Sequence, residues 1–237
     1  MPHALRLFVS TPLFAGARVM TSAAQAHYLA HVMRRSLGAP VRLFNGRDGE
    51  WQAQIEALER GGARLLVAEQ LRTQEPEPDV WLLFAPLKRT ANELVVEKAT
   101  ELGAARLMPV RTAFTQTERL NLERLRAIAT EAAEQSERLS VPEIAPMRPL
   151  AAVLEDWPQT RRLIVFAERL PAPPPSVKRD QPVALLVGPE GGFAAAELDG
   201  LRRHPFVHVA SLGSRILRAE TAALVGVALL TLPCPSL

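Results

Sequence analysis

Residues 183–193 read VALLVGPEGGF, five apolar residues that lead directly into a glycine-rich turn. A strand that is apolar at every position is typical of a parallel sheet covered on both faces. Further apolar runs of strand length lie at 80–85, 163–167 and 206–210, with a weaker one at 106–110. Helical patterns lie between most of them and after the last, over 88–102, 121–139, 194–203 and 219–232. This alternation predicts an α/β fold with a mostly parallel sheet.

The first third of the chain has a different pattern. Short segments of alternating apolar and polar residues, typical of strands, lie at 5–9, 41–44, 51–55 and 63–67. Asn45-Gly46 and Gly61-Gly62 mark turns, and a helix is predicted over 22–35 with Ser22 as its N-cap. A small β-barrel fits this pattern. Because the polar stretch RTQEPEPD at 72–79 is the best linker in the chain, we predict two domains, 1–72 and 73–237.

The composition is that of a globular chain. Of 237 residues, 48% are hydrophobic and 22% are charged, which argues against disorder. No apolar run approaches the roughly 20 residues of a membrane span, and the first residues lack the charged-then-apolar order of a secretion signal. The single cysteine, Cys234, excludes an internal disulfide. We therefore predict a soluble protein of a reducing compartment, the cytoplasm.

The positive charge is concentrated at the N-terminal end. Residues 1–70 hold eight arginines and five acidic residues, which accounts for the whole formal net charge of +3. A surplus of this kind favours a polyanionic partner such as nucleic acid. A surplus of this size also occurs by chance, so charge alone leaves both interpretations open.

The turn at 188–193 lies where open α/β sheets bind ligands. Glycines at the carboxyl end of a strand let a ligand approach the backbone closely. The usual nucleotide signatures are absent from the sequence, however, and Pro189 removes one N–H donor from any phosphate site. A ligand site and a plain strand-to-helix turn are therefore equally good interpretations of this turn taken alone.

A second turn of the same kind lies at 211–222, which reads SLGSRILRAETA. It follows a predicted strand and opens a helix, whose N-terminus favours anions. Arg215, Arg218 and Glu220 converge there; the alternative interpretation is an exposed Arg218–Glu220 pair of little consequence. Because parallel strands end at the same edge of a sheet, the two turns together favour a ligand site more than either does alone.

The sequence gives little support to metal or nucleophile chemistry. His27 and His31 are four residues apart, as are His204 and His208, but neither pair has a third ligand in view. The sequence has no nucleophilic cysteine and no Gly-x-Ser-x-Gly motif. We therefore expect no metal.

Together, these motifs resemble the RsmE-type 16S ribosomal RNA (uracil-N3)-methyltransferases, which belong to the SPOUT or α/β-knot class. The resemblance covers nearly the whole chain, and its most specific motifs are the turns at 188–193 and 212–222, in this order. The other motifs are Arg6-Leu7-Phe8, His27 followed by Val32-Met33-Arg34, and the segments 97–103 and 131–144. One departure is Ser214, where many members carry proline, and we interpret it as a small loosening of the loop.

The resemblance implies more about the fold than periodicity does. Residues 1–72 would form a PUA-like β-barrel that binds RNA. Residues 73–237 would form a SPOUT α/β methyltransferase domain with a deep trefoil knot and a mostly parallel sheet. Backbone knots are otherwise nearly absent from proteins. Related enzymes bind S-adenosylmethionine in the knot, need no metal, and are homodimers whose active site forms at the subunit interface.

The resemblance also implies which residues form the site. Arg218 would stabilise negative charge on the uracil, and Glu220 or Glu190 would help to remove its N3 proton. Arg6, Arg34 and Arg138 would bind RNA. S-adenosylmethionine would lie, with Glu168 nearby, against Phe166, Ala167, Gly188, Pro189, Glu190, Gly191, Gly192, Leu212, Gly213, Ile216 and Leu217.

The expected function is methylation of N3 of a specific uridine in the 16S rRNA of the small ribosomal subunit. N3 lies on the Watson–Crick edge, so the target base must be unpaired or turned out of its helix. One alternative is a non-catalytic rRNA-binding or ribosome-assembly factor, against which the intact glycine turns and Arg218 count. The other is a small-molecule α/β enzyme that binds a phosphorylated ligand, against which the lack of a phosphate motif counts.

Overall fold

The chain forms two compact units in the computed structural model, which describes residues 5–59, 61–167, 172–175 and 181–232. The N-terminal unit comprises the described residues of Met1–Pro76 together with Ala133–Val141. The C-terminal unit comprises those of Glu77–Ala132 and Pro142–Leu237. Glu168 and Cys234, named above, lie outside the described residues.

The N-terminal unit is built on a five-stranded sheet. Its strands are β1 (Arg6–Phe8), β2 (Arg18–Met20), β3 (Pro40–Phe44), β4 (Glu50–Glu59) and β5 (Gly62–Arg72). They lie in the order β1-β3-β4-β5-β2, with β1 and β3 parallel and the other neighbours antiparallel. The four strands predicted from alternation are confirmed. Strand β2 was missed because its three residues are too few to show a period.

The helix predicted over 22–35 is confirmed only at its start. Helix α1 spans Ala23–His27 and begins with a capping box. The Ser22 hydroxyl accepts from the Gln25 N–H (3.2 Å), and the Gln25 side chain accepts from the Ser22 N–H (3.1 Å). A π-helical turn, Tyr28–Val32, follows. Side-chain periodicity does not reveal such a widened turn, so the predicted continuation of the helix was wrong.

The C-terminal unit is built on a seven-stranded sheet. Its strands are β6 (Val80–Phe84), β7 (Arg106–Arg111), β8 (Glu143–Ile144), β9 (Arg148–Pro149), β10 (Arg162–Phe166), β11 (Val183–Val187) and β12 (Val207–Ala210). The order is β12-β10-β11-β6-β7-β8, β9 also pairs with β7, and every pair is parallel. The five predicted strands and the parallel sheet are confirmed. Strands β8 and β9 were missed because two residues show no pattern.

Five helices connect or follow these strands. They are α2 (Arg89–Glu101), α3 (Leu122–Gln135), α4 (Leu150–Glu155), α5 (Ala195–Arg202) and α6 (Ala219–Thr231). All except the short α4 were predicted. Helix α3 ends at Gln135 rather than at residue 139, and its last residues, from Ala133, belong to the N-terminal unit.

Both faces of the central strands are covered, as their apolar sequences predict. All five residues of β11 are buried, and so are four of the five in β10. Because these strands and β12 are parallel, they end side by side: Phe166 is in register with Val187 on one side and with Ala210 on the other. The carboxyl edge formed by these three residues positions the candidate site.

Helix α6 packs closely against the sheet through small residues. Its Ala222, Ala223 and Gly226 are buried. A Cβ on Gly226 would lie 2.5 Å from Cδ2 of Leu185 and would also overlap the ring of Phe166. Only glycine therefore lets the helix approach this closely, and the approach fixes the Phe166 ring at the end of β10.

Two further expectations from the sequence concern membrane-spanning helices and the trefoil knot. Within the described ranges, the helices are too short or too polar to cross a membrane. The trefoil knot stays a prediction.

Candidate functional site

A cavity of about 1010 Å³ opens at the carboxyl edge of β10, β11 and β12. It lies between the turn at 188–193, the loop at 211–217 and the start of α6. This volume is at the upper end of ligand pockets, which measure roughly 300–1,000 Å³. The structure brings together in its lining all eleven residues predicted to bind the cofactor: Phe166, Ala167, Gly188, Pro189, Glu190, Gly191, Gly192, Leu212, Gly213, Ile216 and Leu217. Their role as cofactor ligands stays a prediction.

The turn at 188–193 needs its glycines for two physical reasons. A Cβ on Gly188 would lie 3.1 Å from the ring of Phe193, which is tighter than ordinary packing allows. Gly192 has a φ of 71°, which side chains other than glycine rarely adopt, and its N–H donates to the Pro189 carbonyl at 2.8 Å. The turn therefore folds back on itself and keeps its backbone close to the cavity.

The loop at 211–217 is held by its own polar groups. The Ser211 hydroxyl lies 3.2 Å from both the N–H and the carbonyl oxygen of Gly213. Gly213 has a φ of 112°, again a glycine conformation. The Ser211 N–H donates to the Pro173 carbonyl at 3.0 Å. Ser214 is exposed in the cavity wall, and its effect on the loop stays a prediction.

The two predicted catalytic residues lie at the start of α6. Arg218 is the N-cap residue of this helix, and its carbonyl accepts from the Ala222 N–H at 2.9 Å. Its side chain is 86% exposed, and its Nη1 lies 4.0 Å from Oε1 of Glu220, whose side chain is 20% exposed. Ala219 and Ala222 line the cavity, whereas Arg218 and Glu220 lie just outside its lining. The Arg218 guanidinium is therefore available beside the cavity, as a catalytic donor requires.

Sequence reasoning did not assign several residues of the cavity wall. Phe193 and Arg215 belong to the quoted motifs, so a wider reading of each motif would have included them. Leu198 and Ala172 line the cavity from α5 and from the segment 172–175. No local pattern marks these two, because they reach the cavity only through the packing of the folded chain.

The lining combines exposed backbone, apolar side chains and charges at the rim. Ile216 is 62% exposed, which is high for an isoleucine beside a cavity. Glu190 and Arg215 are exposed in the lining. Such a site can bind a flat, largely apolar group through backbone hydrogen bonds while a charged group lies at the rim.

The motif at 97–103 covers the end of α2 and the two residues after it, and its charges pair with each other. The Lys98 ammonium lies 2.8 Å from a carboxylate oxygen of Glu97 and 2.8 Å from one of Glu101. The hydrogen bond to Glu101, followed by that to Glu97, raises the pKa of Lys98 above its ordinary value. Lys98 therefore stays protonated and is not a candidate base.

Arg6 is buried, which corrects its predicted role as an RNA contact. Its Nε donates to Glu50 Oε1 at 2.5 Å, and both side chains are at most 3% exposed. Its Nη1 donates to the carbonyls of Ala133 and Glu134 at 2.9 Å, and its Nη2 donates to that of Arg138 at 2.8 Å. Helix ends leave such carbonyls without intrahelical partners. Arg6 therefore caps the end of α3, and its donors are not available to a phosphate.

The other two predicted RNA contacts differ from each other. Arg138 is buried, and its Nε donates to the Ser140 hydroxyl at 3.2 Å, so we also withdraw it as a surface contact. Arg34 is exposed and has a left-handed backbone, with a φ of 49°. A contact between Arg34 and RNA stays a prediction.

Within the described residues, neither histidine pair belongs to a cluster that could hold a metal ion. The rings of His27 and His31 lie 4.7 Å apart between centroids. Among the residues that the structure describes, no group of three or more histidine, cysteine, aspartate or glutamate side chains is arranged to hold a metal ion.

Comparison with protein families gives two matches. A family model described as an RNA methyltransferase domain matches residues 73–231. A second one, described as an RNA methyltransferase PUA domain, matches residues 21–67. These matches, together with the parallel sheet, confirm the predicted fold class of a PUA-like N-terminal domain followed by an α/β methyltransferase domain.

Two relatives and two solved structures resemble the chain over nearly its whole length. It is 32% identical over 231 residues to the ribosomal RNA small subunit methyltransferase E of Rickettsia conorii, covering 94% of this chain and 93% of that protein. It is 36% identical over 234 residues to the protein of the same name from Synechocystis, covering 95% and 76%.

Two solved structures share the fold over nearly the whole chain. One is the ribosomal RNA small subunit methyltransferase E of Neisseria gonorrhoeae bound to S-adenosylmethionine, with a TM-score of 0.88, 24% identity and 96% coverage of both chains. The other, from Legionella pneumophila, was solved in complex with the bound cofactor S-adenosylmethionine. It has a TM-score of 0.78 and 26% identity, and the match covers 96% of this chain and 97% of that one.

Proposed function

We propose a function for this chain from the family to which it belongs, the ribosomal RNA small subunit methyltransferase E family. The chain transfers a methyl group from S-adenosylmethionine to N3 of a specific uridine in 16S rRNA. The observation that carries this proposal is the single cavity shared by the turn at 188–193 and the loop at 211–217.

The glycines of the cavity fit S-adenosylmethionine. At Gly192 and Gly213, no described atom beyond the adjoining residues lies within 4 Å of the point where a Cβ would be. Both backbones are therefore open to a ligand that hydrogen-bonds to them. We assign recognition of the adenine to this backbone and its apolar cover to Leu212, Ile216 and Leu217. When bound, the cofactor supplies a methyl group on a positively charged sulfur.

Arg218 has the main catalytic role in this proposal. As the N3 proton leaves, negative charge spreads to the two carbonyl oxygens of the uracil. A guanidinium directed at either oxygen stabilises that charge and makes N3 more acidic. The exposure of Arg218 beside the cavity supports this role, because its side chain is 86% exposed and its guanidinium pairs with Glu220 only at 4.0 Å.

Glu220 receives the proton in the same proposal. Its carboxylate is partly buried and lies 4.0 Å from Arg218, so both groups can reach one base. Carboxylates are weaker bases than the deprotonated N3 of uracil. Proton transfer to Glu220 therefore depends on the charge stabilisation that Arg218 provides.

The N-terminal unit holds the RNA in this proposal. Arg34 is exposed and carries a charge suited to a phosphate, which fixes the position of the RNA without reading its sequence. A substrate of this kind places the reaction in the cytoplasm, where the small ribosomal subunit is assembled.

We propose a homodimer because α6 leaves an apolar stripe exposed. Val225 and Leu229 are 37% and 56% exposed and lie four residues apart on one face of the helix, and Leu232, which directly follows the helix, is 50% exposed. The same helix begins at the cavity, so a second copy on this stripe would pack on the element that opens the site. Leu229→Glu should give a monomer by light scattering, whereas Leu37→Glu in the N-terminal unit, also exposed at 64%, should not. A Leu229→Glu dimer would contradict this part of the proposal.

Mass mapping of modified nucleosides tests the proposed function. Unmodified 16S rRNA, free and in assembled small subunits, is incubated with S-adenosylmethionine and the full chain. One N3-methyluridine should appear with the wild-type chain and should be almost absent with Arg218→Ala. Binding of 16S rRNA without cofactor binding or methylation would instead identify a non-catalytic assembly factor.

A further inference from the structure

The segment that follows β7 presents a phenylalanine at the rim of the cavity. Phe114 is 49% exposed. Within the described part of the C-terminal unit, it is the one phenylalanine or tryptophan whose side chain is exposed. A single exposed apolar side chain does not by itself indicate a binding site. Its surroundings do, because Phe114 lies against a residue that lines the cavity and its backbone is held by hydrogen bonds.

Phe114 lies against a glycine of the cavity wall. A Cβ on Gly191 would lie 3.3 Å from Cβ of Phe114 and 3.6 Å from its ring carbons Cγ and Cδ2. Gly191 itself lines the cavity. The absence of a side chain at Gly191 therefore lets Phe114 lie directly on the turn, with one part of its ring packed and the rest exposed.

The backbone around Phe114 is held by hydrogen bonds on both sides. The Ala113 N–H donates to Glu197 Oε1 at 2.7 Å, and Glu197 Oε2 accepts from the Ala194 N–H at 3.0 Å. The Thr112 N–H donates to the Thr115 hydroxyl at 2.9 Å, and the Thr115 N–H donates to the Thr112 carbonyl at 3.2 Å. The loop is therefore fixed to the start of α5, which holds the backbone that carries the Phe114 ring.

We infer that Phe114 is the stacking surface for the target uracil. This inference rests on the proposed function. A base whose N3 is methylated must leave its helix, and it loses its stacking there. A flat apolar ring replaces that stacking for any base that is turned out. Phe114 lies against Gly191, beside the lining, and the two aromatic rings within the lining are unsuited, because Phe166 is buried and Phe193 packs on Gly188.

Two substitutions separate the ring from its bulk. Phe114→Leu keeps an apolar side chain on Gly191 but removes the ring, and Phe114→Tyr keeps the ring. We expect Phe114→Leu to lower kcat/KM for unmodified 16S rRNA at least about 5-fold, mainly through KM, since loss of one base–aromatic stack has effects of this order. Phe114→Tyr should stay within about 2-fold of the wild-type chain, and both variants should keep the wild-type Kd for S-adenosylmethionine.

The control is Phe14→Leu, which removes the other exposed phenylalanine, 58% exposed and in the N-terminal unit. It should leave kcat/KM unchanged. If the wild-type chain is active and the Phe114→Leu variant is equally active, the stacking role of Phe114 is wrong and the proposed function is unaffected. Equal losses in Phe14→Leu and Phe114→Leu, or a change of oligomeric state in Phe114→Leu, would also overturn the stacking role. A wild-type chain that binds no S-adenosylmethionine and transfers no methyl group would instead overturn the proposed function.

Discussion

Arg6 and Arg218 are two arginines in opposite situations. Arg6 is buried in the N-terminal unit, where its guanidinium donates to Glu50 and to three carbonyls at the end of α3. Arg218 is 86% exposed at the rim of the cavity, and its nearest carboxylate is 4.0 Å away. An arginine whose donors are used inside the protein stabilises the fold. One that is largely exposed beside a cavity is available to a ligand.

The largest effect is expected from Arg6→Ala. The substitution leaves the Glu50 carboxylate buried, with Arg42 and Arg72 at 3.8 and 3.9 Å as its remaining cations, and leaves the end of α3 without its cap. Breaking a buried ion pair in this way costs about 3–5 kcal/mol of unfolding free energy. Hydrogen exchange of β3, β4 and β5 measures this loss in the N-terminal unit specifically.

Arg18→Ala is the matched control, because Arg18 pairs with Glu56 at the surface and its side chain is 63% exposed. It should leave exchange nearly unchanged. If Arg6→Ala instead folded normally and bound RNA less well, the contrast between the two arginines would be wrong.

Arg218→Ala should have the next largest effect, on turnover rather than on stability. Removal of a donor that stabilises developing charge lowers kcat about 10²–10³-fold. Single-turnover methylation of 16S rRNA measures the loss, and calorimetry should give a wild-type Kd for S-adenosylmethionine. Arg203→Ala, which removes an exposed arginine from the end of α5, is the control. Equal losses of turnover and of cofactor affinity would assign Arg218 to binding.

Two helical glycines also differ in their surroundings, since Gly226 is closely packed and Gly200 is not. A Cβ at Gly226 would overlap Phe166 and Leu185, whereas a Cβ at Gly200 on α5 meets no described atom within 4 Å. Gly226→Ala should therefore destabilise the C-terminal unit by about 1–3 kcal/mol and weaken cofactor binding through Phe166. Gly200→Ala should be neutral or stabilise by up to about 1 kcal/mol. Thermal unfolding of both variants, with and without S-adenosylmethionine, measures these effects. Equal melting temperatures of Gly226→Ala and Gly200→Ala would contradict the close packing of α6.

The smallest effect is expected from Arg34→Ala in the N-terminal unit. Loss of one phosphate contact should make the slope of log K against log salt shallower by about 1. Filter binding of 16S rRNA at several salt concentrations measures the slope, with Arg18→Ala as the paired-arginine control. A slope identical to that of the wild-type chain would remove Arg34 from the RNA contacts.

The sequence predicts those parts of the site whose residues are neighbours along the chain. The turn at 188–193 and the loop at 211–217 each follow an apolar strand directly, so position along the chain was enough to place both at one edge. The role of Arg6 could not be predicted in this way, because its carbonyl partners are 127 to 132 residues away. Phe114 was missed for a related reason, since its contact with Gly191 arises only from the packing of distant segments.

Some features of the fold were equally beyond sequence patterns. The π-helical turn after His27 keeps the side-chain spacing of a helix closely enough to be mistaken for one. The two-residue strands β8 and β9 pair with β7 only because the sheet is already formed there. The exposed Arg218–Glu220 pair was predicted only as the alternative of little consequence, and the structure has this pair at 4.0 Å. The catalytic role of Arg218 stays a prediction.

A crystal structure of the full chain with S-adenosylmethionine would show whether the cavity is the cofactor site. We expect density for the cofactor in the cavity at the ends of β10, β11 and β12, with the adenine against the loop at 211–217 and the methyl group facing the Arg218 side. An empty cavity with the cofactor bound at another place would contradict the proposed site.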